Sequence, residues 1–87
     1  MRYKAAPGVV MTTVCGKYFL VTPKETLQVN EPAALYWKAL VKGADEEELH
    51  KLAEEEYRIE DHTLLMRDIR EMLESLAERR MLLRYDV

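Results

Sequence analysis

Between Thr26 and Ala34 the chain reads Thr-Leu-Gln-Val-Asn-Glu-Pro-Ala-Ala, and there the spacing of its apolar residues changes from strand-like to helix-like. Leu27 and Val29 alternate with Thr26 and Gln28, the period-2 pattern of a half-buried strand. Asn30 then suits an N-cap, because its side-chain oxygen can accept from the free amides of a first helical turn. Pro32 falls in that turn, where a missing N–H costs nothing. Everything before this junction reads as strand and everything after it as helix.

At 87 residues the chain has room for one core, so a single domain is expected over residues 9–87. Residues 1–8 show no clear pattern and read as an arm or a frayed, disordered end. The composition is 48% hydrophobic with the apolar residues placed periodically, enough for a core without disulfide or metal support. One cysteine, Cys15, cannot form an internal disulfide. No apolar run reaches the length of a membrane span and no signal-peptide pattern precedes the first strand, so a cytoplasmic protein without a membrane partner is expected.

Upstream of the junction, Val9–Cys15 and Tyr18–Val21 read as strands. Gly16-Lys17 is the expected turn between them, and Thr22–Glu25 breaks the chain before Thr26–Asn30. Downstream, a first helix over 31–42 carries the stripe Ala33, Tyr36, Trp37, Leu40 and Val41, stopped by Gly43. A second, over 45–57, opens on Asp45 with Glu48 at N3 and lines up Leu49, Leu52, Ala53 and Tyr57. A third runs from about Glu60 or Asp61 to Arg80, with Leu65, Ile69, Met72, Leu73 and Leu76 on its core face. The expected fold class is α+β: a three-stranded antiparallel sheet followed by a three-helix bundle, in a winged helix-turn-helix-like arrangement.

The ordered set of motifs resembles a known family. Leu27-Gln28-Val29-Asn30 entering a helix with Ala33-Ala34 and Trp37 is similar to an L-N-x-x-A entry. Leu40-Val41-Lys42-Gly43 resembles the hydrophobic-x-x-G end of that family's first helix. Leu49, Leu52 and Tyr57 resemble its second helix, and Asp68-Ile69, Met72-Leu73 and Leu76 resemble the D-V-x-x-F-L-x-x-L pattern of its third. Together, over residues 9–83, these resemble the PqqD-like family, also called the RiPP recognition element. Two features depart from the pattern. Met72 stands in place of Phe, and Arg79-Arg80 precede Met81-Leu82-Leu83 where the family often has a glycine. Neither places the chain in the pyrroloquinoline quinone branch in particular.

The resemblance implies a non-catalytic module without a cofactor. Such domains capture the leader of a ribosomally made precursor peptide and present it to a modifying enzyme, often a radical S-adenosylmethionine enzyme. It further implies that the leader adds as a strand beside the third strand, here Thr26, Leu27, Gln28, Val29 and Asn30, and packs toward the third helix. In a meander the third strand is a sheet edge with free N–H and C=O groups, so the residues permit this. On the third helix, Met66, Arg70, Leu73 and Ala77 flank the core stripe on one side, and Asp68, Ser75 and Arg79 on the other. The first flank, apolar with one basic residue, suits a groove for aliphatic side chains, with Met an adaptable lining. The second suits solvent or a neighbouring helix. Met66, Arg70 and Leu73 are therefore the expected groove residues.

Other chemistry finds little support. His50 and His62 lie on different helices without the i, i+4 spacing of a helical metal site, and read as solvated surface residues. Cys15 reads as a buried thiol in a strand. The glutamates at 46–48 and 54–56 form a solvated face. The alternative is a winged-helix DNA-binding or regulatory domain. Residues 45–61 carry nine acids against Lys51 and Arg58, however, and the third helix balances its arginines with acids, so no basic face dominates, which disfavours nucleic acid without eliminating that alternative.

Overall fold

The computed structural model describes residues 1–86. Its elements run β1 (Arg2–Ala5), β2 (Val10–Val14), β3 (Lys17–Val21), β4 (Thr26–Val29), α1 (Glu31–Leu40), α2 (Glu46–Glu56), α3 (His62–Glu78) and β5 (Leu82–Tyr85). β2, β3 and β4 form an antiparallel meander with β4 at an edge, followed by the three helices, as the change of period implies. A second, two-stranded sheet pairs β1 with β5.

That second sheet corrects two expectations. Residues 2–5 are no frayed arm: they pair antiparallel with residues 82–85, Arg2 opposite Tyr85 and Ala5 opposite Leu82. Tyr3 is buried in the core, and its backbone exchanges hydrogen bonds of 2.8 and 2.9 Å with Ala44 in the α1–α2 connection. The Arg2 guanidinium reaches the Gly43 carbonyl at 3.0 Å and the Glu48 carboxylate. α3 also stops short of Arg80. Its last turn closes with Met81 N–H donating to Leu76 C=O (2.9 Å) and Arg80 N–H to Ala77 C=O (3.0 Å). This is a Schellman motif, in which Arg80 holds the left-handed φ of 61° that glycine usually supplies. The chain turns there, and Met81 and Leu82 enter the core.

The β2–β3 turn lies one residue earlier than expected. Cys15 and Gly16 both take positive φ (51° and 75°), the requirement of a type I′ hairpin, with Val14 opposite Lys17. Cys15 is consequently an exposed turn residue rather than a buried strand thiol. This register places Met11, Leu20 and Leu27 side by side on the face turned toward the helices.

Asn30 and Asp45 cap their helices as expected, and Asp61 caps the third. Asn30, Asp45 and Asp61 accept from the amides of Ala33 (2.9 Å), Glu48 (2.8 Å) and Leu64 (3.0 Å). Gly43, at φ 102°, ends α1. A Cβ there would sit 2.6 Å from the hydroxyl of the exposed Tyr85, which could swing aside, so what favours glycine here is the backbone conformation. The core joins Trp37 and Leu40 of α1, Leu49 and Ala53 of α2, and Ile69, Leu73 and Leu76 of α3 to Leu20 and both strands of the terminal ribbon.

Candidate functional site

An apolar cleft of about 520 Å³ lies between β4 and α3, with α1 and the α2–α3 connection closing it. β4 contributes Leu27 and Val29, whose alternation turns both side chains to the helix side, together with Gln28, and Asn30 follows at the cap of α1. Pro32, Ala33 and Tyr36 of α1 line the cleft, as do Tyr57 and Ile59 of the connection.

The free edge of β4 has a definite phase. Thr22 N–H donates to Glu25 C=O at 2.9 Å, so that pair belongs to the hydrogen-bonded rungs of the β3–β4 ladder. Rungs alternate along an antiparallel pair. Leu27 opposite Leu20 and Val29 opposite Tyr18 are then bonded inward, and the N–H and C=O groups of Thr26 and Gln28 point away from the sheet. These are the groups an added strand would use.

α3 presents Leu65, Asp68, Met72, Ser75, Leu76 and Arg79 to the cleft, a stripe at i, i+3, i+7, i+10, i+11 and i+14. The cleft is thus lined by the other flank from the one expected to form the groove. Leu73 is fully buried in the core, and Arg70 pairs with Glu46 on α2 at 3.0 Å. Met66 is half-buried, and neither it, Arg70 nor Leu73 lines the cleft. The helical period identifies an apolar stripe but not which side of it a neighbour covers. Here α2 covers the Arg70–Leu73 flank, and the opposite flank, expected to meet solvent or a neighbouring helix, faces β4. Of the expected site, Leu27, Gln28, Val29 and Asn30 are brought together at the cleft, and Thr26 shares their strand edge.

Polar groups mark both ends of this apolar surface. Arg79 pairs with Glu25 of the β3–β4 turn at 2.7 Å, tying α3 to the hairpin at one end. At the other, the Tyr57 hydroxyl lies 3.4 Å from the Glu31 carboxylate. Burial, and then the neighbouring Glu31, holds the Tyr57 phenol above its ordinary pKa. The buried Tyr36 phenol is raised by desolvation and then by Tyr57 and Asp68. Both phenols therefore stay protonated at neutral pH and can donate hydrogen bonds at the cleft.

The structure also joins two residues that the sequence keeps apart. His50 Nε2 and His62 Nδ1 are 2.9 Å apart, with their rings at 84° to one another. The α2–α3 connection folds back to bring the start of α3 beside the middle of α2. No spacing rule within one helix could have found this pair.

Among the described residues, no helix is long and apolar enough to cross a membrane. No match was found among curated protein sequences. Two solved structures share the fold closely. One, described as TbiB1 in complex with the TbiA(beta) leader peptide, superposes with a TM-score of 0.78 at 23% identity, covering 97% of this chain and 99% of that one. The other, a lasso peptide synthetase B1 complexed with the leader peptide, gives 0.77 at 25% identity, covering 94% and 98%. Residues 17–82 match the family described as coenzyme PQQ synthesis protein D, a span that begins at β3 and ends in β5 and so takes in the whole cleft. The chain belongs to the PqqD family.

Proposed function

We propose that this protein is a non-catalytic peptide-binding module that captures the leader of a ribosomally made precursor peptide and presents it to a modifying enzyme. The observation that carries this reading is an open strand edge running beside an apolar cleft, in a fold whose solved relatives are complexes with leader peptides. The leader adds to β4 as a further strand, pairing with the outward groups of Thr26 and Gln28. Its alternate side chains enter the cleft against Leu65, Met72 and Tyr36. Backbone pairing sets the direction of the peptide with little sequence demand, and the cleft supplies the selectivity. Met72 suits this lining, because an unbranched thioether repacks around varied partners. The peptide-modifying partner is a radical S-adenosylmethionine enzyme or another enzyme of the same pathway, acting with this module in the cytoplasm.

The test is a titration of the isotope-labelled protein with a synthetic leader from a precursor encoded beside its gene. Amide shifts are expected at residues 26–30 and along 65–79. Shifts confined to residues 45–57, or tight salt-sensitive binding to duplex DNA without a peptide response, would overturn the proposal.

A further inference from the structure

We propose that His50, Glu54 and His62 form a binding site for a zinc-class divalent cation that clamps α2 to the start of α3. One ligand atom from each of the three residues lies within 4.8 Å of the others. His50 and Glu54 sit one turn apart on α2, and Glu54 Oε1 lies 3.6 Å from His50 Nδ1, the ring nitrogen that does not face His62. His62, the first residue of α3, brings Nδ1 to 2.9 Å from His50 Nε2. Without a metal these two nitrogens can share one proton in a hydrogen bond. With a cation between them, each gives it a lone pair.

The geometry is close to what coordination needs. Metal–nitrogen bonds of about 2.0–2.1 Å in a tetrahedral site set neighbouring ligand atoms roughly 3.3 Å apart. The two nitrogens therefore part by a few tenths of an ångström while the rings turn to aim both lone pairs at one point, and the exposed Glu54 carboxylate swings in by up to about 1.5 Å. His50 Nε2 and His62 Nδ1 are the nitrogen ligands, the Glu54 carboxylate is the third, and water completes the set. Two imidazoles and one carboxylate suit zinc or copper(II) and nickel(II), not magnesium or calcium, which take oxygen ligands. The acid-rich segment 45–61 adds a field that draws cations to this face.

The clamp closes the connection that carries Tyr57 and Ile59, two walls of the apolar cleft. Cation occupancy would thus fix that wall against α3. This consequence rests on the peptide-binding reading, whereas the cation site does not, and its test uses no peptide.

The experiment is calorimetric titration of tag-free, chelator-treated protein with zinc chloride, in a Cys15→Ser background so that the exposed thiol supplies no ligand. One cation per chain is expected, with magnesium chloride at a large excess failing to compete. His50→Gln and His62→Gln should each weaken binding at least about tenfold, and Glu54→Gln by less. Amide signals of residues 57–61 should shift on zinc addition in the parent and not in the double histidine variant. Absence of saturable binding, or equal affinity in the double variant, would overturn the proposal. Both histidines are at the surface, so circular dichroism should show the variants folded.

Discussion

The two flanks of α3 contain similar residues and do opposite things. On one, Arg70 pairs with Glu46 of α2 and Leu73 is fully buried. On the other, Arg79 pairs with Glu25 of the β3–β4 turn, while Met72 and Leu65 remain half-buried at an open cleft. An apolar side chain and an ion pair therefore do not identify a binding face. What distinguishes the flanks is the partner element. α2 packs along the first, whereas β4 stands off from the second and leaves an edge unpaired. Burial energy is spent on the first flank and held available on the second.

The sharpest way to break this comparison is to truncate neighbouring residues on the two flanks. Leu73→Ala should cost about 2–5 kcal/mol in denaturant unfolding, since it empties a closed site. That is a large part of the stability of a domain this small. Met72→Ala should cost less than about 1.5 kcal/mol, because its surroundings already open to solvent, yet it should weaken leader binding roughly tenfold, the equivalent of about 1.4 kcal/mol of lost contact. If Met72→Ala proved the more destabilising and left binding intact, the flanks would be wrongly assigned.

A smaller effect tests the strand edge. Gln28→Pro removes an N–H that points away from the ladder, so the fold should tolerate it as edge strands tolerate proline. Leader affinity should fall about tenfold, the loss of one backbone hydrogen bond near 1 kcal/mol together with altered local geometry. Glu47→Ala, on the exposed face of α2, is the control and should leave affinity unchanged. Unfolding of the Gln28→Pro variant would show that this N–H belongs to the β3–β4 ladder and that the phase of the edge is reversed.

Local rules read most of the fold from residues alone. Asn30 and Asp45 act on amides three residues ahead, so the first two helix starts were legible, while the third, placed only near Glu60 or Asp61, is fixed by the Asp61 cap, and Gly43 ended α1 as glycine should. The β4 edge followed from strand order. What was not legible depends on partners distant in sequence. Arg2–Ala5 is too short to show a period, and it is a strand only because Leu82–Tyr85 returns to it. Arg80 stops α3 without the expected glycine, because burial of Met81 and Leu82 outweighs the cost of a left-handed arginine. The hairpin turn slipped by one residue because Cys15 is an unusual occupant of a positive-φ position. The cleft-facing flank of α3 and the His50–His62 pair are tertiary facts of the same kind.

The smallest effect compares the two ion pairs, and it isolates the cleft from stability. Both arginines are substantially exposed and both pairs are screened by water, so neither Arg70→Gln nor Arg79→Gln should move the unfolding midpoint far. Their consequences for binding should differ. Arg70 holds α3 to α2, which are already packed together through Leu73 and Leu49. Arg79 holds α3 to the β3–β4 turn, beside the edge strand at one end of the cleft. Arg79→Gln should therefore weaken leader binding by up to about fivefold at low salt, an effect that shrinks as ionic strength rises toward the point where the pair is screened. Arg70→Gln should leave both affinity and its salt dependence at the parent values. Titrations of the two variants in parallel across a salt series decide the matter. Equal losses would mean that the pairs act through general stability, and a loss confined to Arg70→Gln would return the binding face to the flank that α2 covers.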